Sequence, residues 1–156
     1  PLLNNFMYQY VGKMPSGSIV IGVFDYDEEG MKQIKSLVNK GDYVQYQNDV
    51  GYKHVYKKED SDNIYVMLIV PPDHRIDFYD SENPDFCRVS TELLFMDKEI
   101  PANNRKYPSK FDDRTFSFSG KKVSFANSIK TKVSKGKEID FSGFSPTFEL
   151  LRKIIS

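Results

Sequence analysis

Residues 19–37 read IVIGVFDYDEEGMKQIKSL, and the order of residue types along them decides the fold class. Ile19 to Phe24 is a continuous apolar run, the pattern of a strand covered on both faces in a parallel sheet flanked by helices. Asp25-Tyr26-Asp27-Glu28-Glu29-Gly30 follows as an acidic turn. Met31, Ile34, Leu37 and Val38 then recur at helical spacing, with Lys32, Gln33, Lys35 and Lys40 facing water and Gly41 as the stop. Strand, acidic turn and helix make a βα unit. In open α/β sheets, ligands bind at the carboxyl ends of such strands.

A second apolar run, Ile64 to Val70 (IYVMLIV), predicts another buried strand, stopped by Pro71-Pro72. The two runs together predict an α/β fold with a mostly parallel central sheet flanked by helices, the runs being neighbouring or near-neighbouring inner strands. Leu2, Leu3, Phe6, Met7, Tyr10 and Val11 predict a leading helix. Tyr43 to Lys57 alternates around Asn48-Asp49-Val50-Gly51, as two short strands or a loop would. Val89, Leu93, Leu94 and Met96 predict a helix that includes Ser90 and Glu92, and Val123, Ala126, Ile129 and Val133 predict another. Ser145 reads as the N-cap of a last helix with Pro146 at its first position. Phe148, Leu151 and Ile155 would form its buried face, with Leu150 and Ile154 alongside. Residues 1–156 are thus expected to be one domain, helical from about residue 86 onward, which is long enough to bury a core. The opening Pro1-Leu2-Leu3, without a methionine, is what a piece of a longer protein would show.

Composition narrows the function classes. No apolar run approaches the roughly 20 residues a membrane span needs, and no secretory leader pattern is present. Cys87 stands alone, so no internal disulfide can form, and a reducing, cytoplasmic setting is expected. Net charge is zero, yet Arg105 to Lys137 holds ten basic and two acidic residues. Such a segment can neutralise phosphates, although a solvated lysine-rich face has the same composition.

His54 and His74 lack metal-ligand spacing, which argues against zinc, and Cys87 has no local activator. No glycine-rich phosphate loop and no G-x-S-x-G elbow occurs. The acidic turn is the strongest candidate. Asp25 and Asp27 follow a buried strand and could converge on a hard divalent cation such as Mg²⁺, which prefers oxygen ligands and retained waters. Glu28 and Glu29 sit where a helix dipole favours negative charge.

IVIGVFDYDEEGMKQIKSL resembles the strand–DxD–helix segment of Toprim domains. IYVMLIVPP, CRVSTELLF, GKKVSFANSI and DFSGFSPTFELLRKII resemble later segments of the Toprim nuclease region of the overcoming-lysogenization-defect family and its ATPase-linked relatives. The resemblance implies metal-dependent phosphodiester cleavage. Asp25 and Asp27 would hold one Mg²⁺ or Mn²⁺, and Glu92, helped by Ser90, would serve a second. Lys121 or Lys122 would neutralise charge on the phosphate. It further implies a nucleic-acid substrate, DNA before RNA, and an ATPase domain in the same parent chain. Toprim domains open with a strand carrying an acid–base Glu, and nothing before Ile19 matches it. The fragment alone would then cleave poorly, and its open sheet edge could pair with a second copy. Two other readings use the same residues. A haloacid-dehalogenase-type phosphatase would use Asp25 as nucleophile, although Glu29 stands where that family expects Thr or Val. A non-catalytic α/β interaction module would need no site at all.

Overall fold

A computed structural model describes residues 15, 17–46, 52–80, 88–108 and 114–156. The leading helix, the Asn48–Gly51 turn and Cys87 lie outside these residues. The central sheet has four strands in the order β1-β5-β4-β3, with β1 Val20–Phe24, β3 Tyr43–Gln45, β4 Val55–Lys58 and β5 Ile64–Leu68. β1 and β5 are parallel neighbours in the register Val20↔Ile64 to Phe24↔Leu68. β4 runs antiparallel to both β5 and β3, so the sheet is mixed, not mostly parallel. The reason is connection length. Only residues 59–63 join β4 to β5, and a parallel pair needs a crossover of about a dozen residues or more. The β1-to-β5 connection is long enough because it contains α1 (Glu28–Asn39), β3 and β4.

β5 is buried at every position. Ile64, Val66 and Leu68 join a core with Met31, Ile34 and Leu37 of α1. Tyr65 and Met67 face the other way, against Val55 and against Leu150 and Ile154 of the last helix, α3 (Ser145–Ile155). Cover on both faces is why its sequence shows no alternation. β1 has the same texture but a different place. Among the described residues it is an edge strand, and Val23 is 44% exposed. An apolar run specifies two apolar faces, and it carries no information on whether a further strand pairs alongside.

α1 is built as its sequence predicts. Asp27 is its N-cap, accepting a hydrogen bond from the Gly30 amide at 2.8 Å, and Gly41 ends the segment at a φ of 74°. Two helical predictions need correction. The Val89–Met96 segment is no α-helix. It pairs as β6 (Arg88–Val89) with β2 (Tyr26–Asp27) and continues as a 3-10 turn over Thr91–Leu94. Val89, Leu93 and Leu94 are buried without an α-helix, and Arg75 takes the Leu93 and Phe95 carbonyls. Among the described residues after 86, α-helix is confined to α2 (Lys122–Ser134) and α3, alongside short 3-10 turns. The buried faces of these helices are also shifted. α2 buries Phe125 and Ile129 while Val123 is exposed. α3 buries Thr147, Leu150 and Ile154 and exposes Phe148 and Ile155. The two candidate stripes on α3 have identical spacing. The contact that chooses between them is tertiary: Thr147 Oγ1 accepts from the Val70 amide at 2.9 Å.

His54 is buried on β5's flank, 3.2 Å from the Tyr26 hydroxyl and edge-on to Tyr26 and Tyr52. Burial, aided by Lys53, pushes its pKa down to about 4. The unfolded chain, with an ordinary histidine, binds this proton first. Stability contributed by the neutral ring is present above the ordinary value of 6.5 and is lost as pH falls from there toward about 4. The loss should reach roughly 3 kcal/mol. Urea titrations at pH 7 and pH 4.5 check this, with His54→Gln losing less between the two than the parent. Equal losses would show that His54 is not the titrating group.

Candidate active site

The C-terminal end of β1 delivers Asp25, and α1 begins immediately beyond it. Gly30, in the first turn of α1, lies against the Asp25 backbone, where a β-carbon would come closer than 3.0 Å to the Asp25 carbonyl oxygen. β2 then pairs with β6 in the register Tyr26↔Val89 and Asp27↔Arg88, which brings the segment holding Ser90, Thr91 and Glu92 beside the acidic turn. Thr91 fixes Asp25: its amide and its hydroxyl both donate to Oδ1, at 2.8 and 2.6 Å.

Lys122 arrives from the first turn of α2. One turn further along, Phe125 packs edge-on to Phe95 at 5.4 Å and tilted on Phe118 at 5.2 Å, which sets that helix end against the site. The Lys122 ammonium lies 3.1 Å from Asp25 Oδ2 and 3.3 Å from Glu92 Oε2. A cation at a helix N-terminus opposes the macrodipole, so these two carboxylates are what hold it. Partial burial pulls the Lys122 pKa down, but the hydrogen bond and charge of Asp25, with the charge of Glu92, outweigh it and leave the pKa raised. Glu92 is buried and its Oε2 has no well-directed hydrogen bond, so the contact with Lys122 is one of charge. Ser90 Oγ is also buried without a partner.

Lys122 and Ser90 also border an open cleft of about 530 Å³, lined among others by Asp27, Arg88, Lys106 and Tyr107. Asp25, Glu92 and Lys122 are thus one ionic cluster, with Asp27 and Ser90 on the adjoining wall. Lys121, the residue before α2, is exposed and outside this network. Asp27 has one oxygen engaged at the α1 cap. Among the described residues no three of His, Cys, Asp and Glu gather in a metal-holding group. The donors present nevertheless have the chemistry of a hard-cation site. They are all oxygens, the buried Ser90 Oγ and Glu92 Oε2 make no hydrogen bond, and a positive charge already stands between the two carboxylates.

Thr91 and Arg75 were not legible as site residues. Thr91 lies inside the S-x-E segment, and its neighbours drew the functional reading. Arg75 is a single arginine in a polar connection and gives no local signal, although it is buried and organises the turn that carries Glu92.

No protein-family model matches the chain, and no curated protein or solved structure shows significant similarity to it.

Proposed function

We propose that this chain carries the metal-dependent site of a Toprim-type nuclease that cleaves phosphodiesters in nucleic acid, DNA before RNA, alongside an ATPase domain in its parent. The observation that supports it most is the meeting of Asp25 and Glu92 at one cationic position, from segments with no proximity in sequence. Asp25 and Glu92 would hold Mg²⁺ or Mn²⁺, with Ser90 and Asp27 beside them. The ion, when bound, supplies Lewis-acid polarisation of the phosphate and a water of lowered pKa. Thr91 keeps one Asp25 oxygen occupied and leaves the other facing Lys122. Lys122 is long enough to leave the carboxylates and meet the charge of a phosphate, with Lys106 and Arg88 lining the approach. The β1 edge, open among the described residues, is where a second copy would pair to make a dimer.

Calorimetry with Mn²⁺ tests the site. The parent should give saturable heat that Asp25→Asn with Asp27→Asn abolishes, and unchanged heat in the double variant would rule the site out. A parent that binds no divalent ion would favour a non-catalytic module, in which Lys122 is the permanent counter-ion of the two carboxylates.

One observation favours a second reading. Asp25 has one oxygen held by Thr91 and the other facing Lys122, the arrangement of a positioned carboxylate nucleophile. In a haloacid-dehalogenase-type phosphatase, Asp25 would take the phosphoryl group and release the alcohol. Hydrolysis of small phosphomonoesters with no cleavage of phosphodiesters would select it.

A further inference from the structure

One wall of the cleft is not used by the ionic cluster. It is the short ladder of β7 (Arg105–Lys106) and β8 (Ser117–Phe118), from which Tyr107 continues. The Tyr107 ring is 42% exposed, and its inner side leans on Phe116 at 5.6 Å. Phe116 is buried and fixed in turn. The Arg105 and Arg75 guanidinium groups lie over its ring at 5.2 and 5.4 Å, and Phe78 meets it edge-on at 5.5 Å. Tyr107 is therefore an open aromatic surface braced from behind, so little rotamer freedom remains to be lost when something stacks on it. Exposed Lys106 precedes it, and Lys122 stands on the same cleft.

We infer that this cleft takes an unpaired nucleotide, with Tyr107 as the platform for its base and Lys106 and Lys122 as the cations for its phosphate. A π-face beside lysines is the pairing that single-stranded nucleic acid recognises, since every base has a face to stack and every link a charge. A volume of about 530 Å³ falls within the range of small-ligand sites. In a duplex the base faces are covered by their neighbours, so only an unpaired or flipped base can reach the ring. The inference rests on the reading that nucleic acid enters this cleft. It does not depend on metal or cleavage.

The chain contains no tryptophan, so Tyr107→Trp carries a single indole whose emission reports on this wall alone. It is titrated in EDTA with oligothymidylate and with duplex DNA of equal length. The expected result is saturable quenching by the single strand, with weaker binding and little quenching by the duplex. Tyr107→Ala should bind the single strand roughly tenfold more weakly at an unchanged melting temperature, and Tyr107→Phe should bind as the parent does. Single-strand binding that leaves the indole emission and the Tyr107→Ala affinity unaltered would overturn the inference and leave the nucleic-acid reading standing. Absence of binding to both strands would overturn the two together.

Discussion

Replacing Arg75 with methionine should destabilise the fold by about 4 kcal/mol, the largest effect we expect from any single side chain. Arg75 is 2% exposed, and nearly every group it touches depends on it. Nε donates to the Leu93 carbonyl at 2.7 Å and a terminal nitrogen to the Phe95 carbonyl at 2.9 Å. Asp97 pairs with the guanidinium at 2.6 Å, and the group lies 4.9 Å from the Phe78 ring centre. Methionine matches much of the volume but withdraws the guanidinium from two buried carbonyls, and a hydrogen bond to a charged group is worth about 1.5–3 kcal/mol. Asp97 is half-exposed and can turn to water, so its loss adds little. Arg75→Lys is the informative companion. It keeps the charge but cannot fork to two carbonyls, and it should recover less than half of the loss. Chemical denaturation of the three proteins measures this. Near-parental stability of Arg75→Lys would show that charge matters and the fork does not. The Leu93 and Phe95 carbonyls flank the turn that presents Glu92. On the proposed function, Mn²⁺ heats should therefore also fall under conditions where Arg75→Met stays folded.

Gly30→Ala should lower stability by about 3 kcal/mol, a drop of roughly 10 °C in melting temperature. Alanine in place of a helical glycine ordinarily stabilises by about 1 kcal/mol. Here the new β-carbon would come closer than 3.0 Å to the Asp25 carbonyl oxygen, with Asp27 Oδ1 at 3.4 Å. The crowded atom is backbone at the end of β1 and cannot swing aside as a side-chain tip would. Either α1 moves away from the sheet or the acidic turn distorts, and both displace Asp25 from Thr91. Thermal melts of Gly30→Ala against Ser36→Ala, a surface change on the same helix, are the check. A Gly30→Ala protein that melts at or above the parent would mean that the turn has room and that α1 is not locked to it.

Much of the fold was legible because local chemistry suffices for it. The apolar run, the acidic N-cap and first turn, and Gly41 each act over a few residues, and α1 forms where they place it. The continuous apolar texture of Ile64 to Leu68 required cover on both faces, and α1 and α3 supply it. Where reading failed, two arrangements satisfied the same pattern. On α3 the spacing offers Phe148, Leu151 and Ile155 with Leu150 and Ile154 alongside, and it is Leu150 and Ile154, joined by Thr147, that are buried. Val89, Leu93 and Leu94 were read as helix because burial was correctly inferred but its backbone was not. That backbone follows from pairing with Tyr26 and Asp27 and from Arg75, which are distant in sequence.

By itself, the sequence determined that an apolar strand ends in Asp25-Tyr26-Asp27 and feeds a helix, since hydrophobic period, capping and glycine placement are short-range effects. The resemblance to Toprim nucleases pointed to Ser90, Glu92 and Lys121 or Lys122 without relating them in space. Their relation was decided only by tertiary structure. The β2–β6 pairing carries Thr91 to Asp25, and the packing of Phe125 on Phe95 and Phe118 sets Lys122 between Asp25 and Glu92. Asp25 and Lys122 are 97 residues apart, and no local propensity acts over that distance. Only the burial of shared apolar surface closes such a loop, and the charges then meet where the packing puts them.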